Sequence, residues 1–203
     1  MVEAVQATAH EGIIIKNNSG EEMPPYGIGR VSAVDDTGTV LFWQVEKPSA
    51  TFARLHAVNS SVAIAAGELG LGTYGPYTEV LYDDADGTPG TGDSYGAKSG
   101  QWSIVKDRPG FTILGKNTLQ ASNTVKVIQE PITVLTGRAD GNITFDSTGT
   151  VDIHFATSNV ASEYEVTASL KWMHNDESIT SGKEVLLNWV DGVWLIVGAE
   201  CEA

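Results

Sequence analysis

Gly70-Leu71-Gly72-Thr73-Tyr74-Gly75 has the spacing of a dinucleotide-binding turn. That chemistry needs a strand before the glycines and a helix after them, so that the helix N-terminus meets the pyrophosphate. Here Pro76-Tyr77-Thr78 and a strand-like run follow, and no strand–helix alternation surrounds them. With 22 glycines in the chain, the match reads as chance. Gly92-Asp93-Ser94-Tyr95-Gly96 has the spacing of a hydrolase nucleophile elbow, which requires a strained strand-to-helix turn on a parallel sheet. It lies instead in a polar stretch after Thr88-Pro89-Gly90-Thr91, and reads as a glycine-rich connection.

Carboxylates are the next candidates. Asp83, Asp84 and Asp86 precede Gly87, with Asp93 beyond, and closely spaced acids in a glycine loop can hold calcium. The EF-hand register fails, because Tyr82 would occupy its first ligand position. A solvated acidic loop is the default. Of the four histidines, His10, His56, His154 and His174, no two are spaced two or four apart, so none forms a local metal pair. Asp152 and His154 share one strand face. Val151, Ile153 and Phe155 take the other, which is the expected core face, so the Asp–His pair reads as solvated surface. Asn17, Asn59 and Asn142 open glycosylation sequons that matter only in a secreted chain. These readings leave no catalytic, cofactor-binding or metal residue to name.

The elements that would have to position such groups are strands. Short β-branched or aromatic runs are broken by Gly, Asp, Asn and Pro throughout. Strands are expected over residues 12–16, 29–34, 39–46, two within 51–66, 79–82, 101–106 and 111–114. Further ones are expected over 124–129, 132–136, 142–145, 150–155, 163–173, 184–190 and 193–199. Residues 83–100, rich in glycine and aspartate, are expected to form one long loop. The fold class is all-β, as two small sandwich-like or barrel-like modules with long glycine-rich loops. The expected division is a glycine-rich module over 1–115, a hinge over 116–123, and a second module over 124–203 that ends in a hairpin. Asp35–Val40 and Asp146–Val151 share the pattern Asp-x-Thr-Gly-Thr-Val. Their flanks differ, so both are read as hairpin turns whose glycine takes positive φ, not as a repeat. Asp191-Gly192 between two apolar runs predicts a type I′ turn, with Val190 facing Val193, Trp189 facing Trp194 and Leu187 facing Ile196.

Composition narrows the function. Twelve basic residues against 26 acidic ones leave a formal charge of −14. Lys and Arg are scattered singly, which disfavours a grip on nucleic acid. The single cysteine, Cys201, allows neither an internal disulfide nor a zinc cluster. Residues 1–11 have no basic region followed by an apolar stretch, and no apolar run approaches membrane-spanning length, so no secretory leader or membrane partner is expected.

Four stretches taken together resemble accessory virion proteins of tailed bacteriophages. They are Lys16-Asn17-Asn18-Ser19-Gly20-Glu21-Glu22-Met23-Pro24-Pro25-Tyr26; Gln44-Val45-Glu46-Lys47-Pro48; Trp102-Ser103-Ile104-Val105-Lys106-Asp107-Arg108-Pro109-Gly110-Phe111 within residues 100–115; and Trp189-Val190-Asp191-Gly192-Val193-Trp194 within residues 189–201. The resemblance supplies no catalytic residues. It implies a non-enzymatic particle component, made in the bacterial cytoplasm and assembled onto head, neck or tail. The expected role is a head decoration, cement or spike protein. Its partners would be other virion proteins and further copies of itself, with a cyclic trimer favoured. The alternative is a tail or neck fibre-type module that binds host-surface carbohydrate through one of five tryptophans, Trp43, Trp102, Trp172, Trp189 or Trp194.

Overall fold

The computed structural model describes residues 12–36, 38, 40–116, 123–154, 164–171 and 178–200. The fold is all-β, as the alternation predicts. Strand takes 55% of it, about twice the usual share, and among the described residues the one helical turn is a 3₁₀ turn at Asp84–Asp86.

The strands fall into three groups of five. The first is a closed barrel of β1 (Ile13–Asn17), β2 (Ile28–Asp35), β3 (Phe42–Glu46), β4 (His56–Asn59) and β5 (Leu69–Thr73), in the order β1-β3-β2-β4-β5. The second is a sheet of β6 (Tyr77–Leu81), β7 (Ser94–Ala97), β8 (Ile104–Lys106), β9 (Phe111–Lys116) and β10 (Thr124–Gln129), in the order β6-β10-β9-β7-β8. A parallel bridge from Tyr82 to Ile104 brings its two edges together. The third is a closed barrel of β11 (Val134–Ala139), β12 (Ser147–His154), β13 (Tyr164–Leu170), β14 (Glu184–Val190) and β15 (Val193–Ala199), in the order β11-β12-β13-β15-β14. The expected first module, residues 1–115, spans the first barrel and β6 to β9 of the second group, and the expected second module, residues 124–203, contains β10 and the third barrel. The last strand of the second group, β10, thus comes from residues the sequence assigned to the second module. It pairs with β9 and β6, so the strand groups divide near residues 130–133. Residues 117–122 of the expected hinge lie outside the described residues.

One topology recurs. In the first group β1 runs parallel to β3, and the circuit continues antiparallel through β2, β4 and β5. The second group repeats this circuit strand for strand, with β6 parallel to β8 across the closing bridge. The third repeats it in permuted chain order, with β13 parallel to β15 and with β11 and β12 in the places of β4 and β5.

A local device accompanies the repeat. In each closed barrel two buried apolar residues bridge to each other, Met23 to Ile64 and Ile143 to Ile179. Three residues after each comes a residue with positive φ: Tyr26 (58°), Gly67 (81°), Asp146 (57°) and Gly182 (86°). Each sits at the third position of a turn closed by an N–H to O=C bond: Gly27 to Pro24, Glu68 to Ala65, Ser147 to Thr144 and Lys183 to Thr180. The second copy of the shared hexapeptide therefore has a different cause from the one expected. Positive φ falls on Asp146, whereas Gly149 is required because the Ile143 side chain fills the space its Cβ would occupy.

Elsewhere the strands depart from expectation where glycine hides them. β5 uses Gly70 and Gly72 because the side chains of Ile64 and Ile15 cross there. β7 lies inside the expected loop of residues 83–100, with Gly96 against the Arg108–Pro109 backbone. Residues 142–145 supply only the bridge at Ile143, and residues 51–66 contribute β4 and the bridges at Thr51 and Ile64. The final hairpin forms in the expected register, with Val190 opposite Val193, Trp189 opposite Trp194 and Leu187 opposite Ile196. Asp191 and Gly192 both have positive φ (47° and 89°), as a type I′ turn demands. Trp189 sends its N–H away from β15 to the Thr133 carbonyl at 2.9 Å, so the indoles form the close, non-hydrogen-bonded pair.

Candidate functional site

The sequence motifs disperse in the structure. Gly70–Thr73 is strand, with no helix after it. The Ser94 hydroxyl donates to the Arg108 carbonyl at 2.9 Å. The acidic loop supports its own backbone. Asp83 accepts from Ala85 N–H, Asp86 from Lys106 N–H and Asp93 from Gly90 N–H. Among the described residues no three metal-ligating side chains converge. Asp152 and His154 flank buried Val151 and Ile153 on β12, and Asp152 sits in register between Arg138 and Glu165. The sequon residues Asn17 and Asn59 are buried. Their amides donate to carbonyls of the bridged turns, at Glu21 and Ile64 for Asn17 and at Pro24 and Val62 for Asn59. His10, Phe155, Trp172, His174 and Cys201 lie outside the described residues.

A cleft of about 700 Å³ opens where the first barrel meets the third, inside the range of small-molecule sites. No single motif announces it, because it is assembled from five separate segments. The first barrel gives Arg30, Val31 and Ser32 of β2, together with residues 51–55 between β3 and β4. The third gives Thr150, Glu165, Val166 and Thr167, with Trp189 and Trp194 at the hairpin end. The 51–55 segment reaches the third barrel by pairing with β13. Phe52 N–H donates to Glu165 O at 3.2 Å, and Glu165 N–H donates to Ala50 O at 2.9 Å. Phe52 then sets its ring edge-on against Tyr164 at 5.7 Å and Trp194 at 6.2 Å.

The tryptophan pair is a structural clasp first. The indoles meet edge to face at 5.2 Å, and Trp194 is buried in the third core. Among the described tryptophans none is an open platform: Trp102 and Trp194 are buried, Trp43 packs at a tilt against Tyr74, and Trp189 is covered by Arg54. The Arg54 guanidinium carbon lies 4.2 Å from the Trp189 ring centroid, a favourable cation–π geometry. Its Nε donates to the Ile132 carbonyl at 2.9 Å, which fixes the plane of the fork. Burial lowers its pKa from the usual arginine value, opposed by the nearby Tyr74 phenol. Among the described residues no carboxylate pairs with it. Arg54 also borders a smaller hollow of about 230 Å³, walled by Tyr74, Pro76, Gln129 and Glu130. In the same cleft, Arg30 of β2 is held by Glu46 at 2.5 Å, while its buried Nε has no acceptor among the described residues.

Sequence reasoning singled out neither Arg54 nor Arg30, since lone arginines in mixed surroundings carry no spacing signal. It also passed over His56. This imidazole is buried where the three units meet, 6.4 Å from the Phe111 ring, and burial pushes its pKa down to about 4.

Comparison with known protein families, with curated proteins and with solved structures returns no match.

Proposed function

We propose that the chain is a non-enzymatic structural component of a tailed-bacteriophage particle, a head decoration, cement or spike protein that works as a homo-oligomer. The observation that carries this reading is an apolar outer face on the first barrel. Ile15 of β1 is fully buried, so its neighbours Ile14 and Lys16 point outward. Register places Leu71 beside Ile14 and Leu69 beside Lys16. Leu69 and Leu71 are 54% and 62% exposed. On the far side of β1, Lys16 lies over the Phe42 ring at 6.0 Å. A contiguous apolar face on a chain of charge −14 is a surface built for contact with protein.

The resemblance supports the same reading, as do the three small cores joined without covalent staples. Like charge on neighbouring copies opposes assembly, and added salt screens it. Self-association, measured by analytical ultracentrifugation, should strengthen with salt, with a trimer the favoured species. Paired Leu69→Asp and Leu71→Asp changes should abolish both self-association and incorporation into particles. A chain that stays monomeric at every salt concentration and is absent from purified particles ends the proposal.

A further inference from the structure

We propose that the cleft between the first and third barrels is a binding site for an acidic saccharide unit, whose carboxylate or phosphate is read by the terminal nitrogens of Arg54. This goes beyond the assembly role, which uses the opposite kind of surface.

Arg54 is prepared for an anion in three ways. Its Nε is committed to the Ile132 carbonyl, and its plane rests on Trp189, so the two terminal nitrogens are held rather than mobile. Those nitrogens make no hydrogen bond to the described protein, and no carboxylate neutralises the charge. A fixed guanidinium fork matches a carboxylate or phosphate through two parallel bonds.

The remaining walls select what carries the anion. Thr51, Thr150 and Thr167 supply hydroxyls, and Glu165 supplies an acceptor; the Ser32 hydroxyl donates to the Gln44 carbonyl and is left as an acceptor. This is a donor–acceptor set suited to a polyhydroxylated ring. A peptide is disfavoured because the backbone edges here are already used. Phe52 N–H donates to Glu165 O and Glu165 N–H to Ala50 O across the joint, and Val31 N–H donates to Leu55 O at 3.0 Å. Among the described residues, those bonds occupy the backbone groups that an added strand would need at this joint. A long polyanion such as nucleic acid is disfavoured by the overall charge of −14. A single acidic sugar can set its anion on Arg54 and its hydroxyls towards Glu165, and it does not span the acidic surface beyond.

The test uses the full chain. Binding of methyl glucuronide, glucose 6-phosphate, methyl glucoside, acetate and a short peptide with a free C-terminus is measured by calorimetry and by tryptophan fluorescence, since Trp189 lies under the reading group. The acidic sugars should bind and perturb the fluorescence, with one of them preferred according to whether carboxylate or phosphate fits the fork. The neutral glucoside should bind about 10- to 100-fold more weakly, the worth of a charged hydrogen-bonded contact. Acetate and the peptide should be weaker than the better acidic sugar. Arg54→Gln should reduce the acidic sugars to the level of the glucoside. Arg54→Lys, which keeps the charge and loses the fork, should restore only part. Thr167→Ala should weaken acidic and neutral sugars alike. Equal affinity for the glucoside and for the better of the two acidic sugars overturns the proposal without recourse to any variant. So does acetate or the peptide binding as tightly as the sugars, or absence of binding by either acidic sugar at millimolar concentration. Particle incorporation should be unchanged by Arg54→Gln, which separates failure of this site from failure of the assembly reading.

Discussion

Two aromatic side chains join the first barrel to its neighbours, and they do so in opposite ways. Trp102 leaves the connection between β7 and β8 and enters the core of the first barrel beside Met23 and Ile64. Its indole N–H donates to Glu21 at 2.9 Å, its carbonyl accepts from Ile28 N–H at 2.7 Å, and Lys47 lies 5.9 Å from its ring while pairing with Glu21. That hydrogen-bonded pairing with Lys47 lowers the Glu21 carboxyl pKa. Phe52 makes the other joint. It is only half-buried, and the 700 Å³ cleft opens beside it. A joint sealed on every side serves cohesion. A joint that meets along one edge and gapes along the other creates a concave wall between two rigid barrels, which is where ligand sites form.

The largest expected effect follows from that contrast. Trp102→Ala removes a buried indole and leaves the space it filled, so it should cost about 3–5 kcal/mol in urea unfolding. Phe52→Ala should cost about 1.5–3 kcal/mol, the worth of a less enclosed ring. If Phe52→Ala is the more damaging change, the third barrel depends on its joint more than the first does, and the sealed–open distinction fails.

His56 tests the point where all three units meet. The small enclosed space around it is lined by Phe52 from the first barrel, Ala97 and Pro109 from the second unit, and Ile132 from the segment before the third barrel. Arg30 and Arg108 line the same space. With a folded pKa of about 4 against about 6.5 when unfolded, the unfolded chain binds more protons between those values. Stability is therefore independent of this group above pH 6.5 and falls as pH drops toward 4. The loss should already be about 2 kcal/mol at pH 5, before most carboxylates titrate. His56→Phe should remove that difference between pH 7 and pH 5. An unchanged slope in the variant would mean that the junction admits water in solution.

These contrasts explain what could be seen in the sequence. The hairpin of β14 and β15 was legible down to its register, because Asp191-Gly192 dictates the turn and alternation then fixes every pair locally. β5 was not. A strand written Leu69-Gly70-Leu71-Gly72-Thr73 gives up its inward side chains so that Ile64 and Ile15 can cross, and that reason lies elsewhere in the chain. The recurring topology was hidden for the same cause. In the two closed barrels its signature is an apolar residue followed three positions later by Tyr, Gly or Asp in positive φ, and three residue types serving one backbone shape leave no common word. The cleft needed both barrels in place, because Arg54 and Trp189 are brought together only by the pairing of the 51–55 segment with β13.

The smallest effect discriminates most finely between the two joints. Both pair a cation with an indole, but Arg54 lies 4.2 Å from the Trp189 centroid and Lys47 lies 5.9 Å from that of Trp102. A double-mutant cycle with Arg54→Gln and Trp189→Leu should give a coupling of about 0.5–1 kcal/mol, because the guanidinium sits well within the distance at which a ring quadrupole attracts a cation. The corresponding cycle with Lys47→Gln and Trp102→Leu should give less attributable to the ring. Lys47 is near the limit of that attraction, and its main partner is Glu21, so Glu21→Gln should remove most of the coupling there. Salt should weaken the Lys47 cycle, whose pair is partly exposed, and leave the Arg54 cycle nearly unchanged. A coupling near zero at Arg54 would mean that Trp189 does not hold the guanidinium in place. The open joint would then be no more than a gap, and the fork would have to be organised by the Ile132 carbonyl alone.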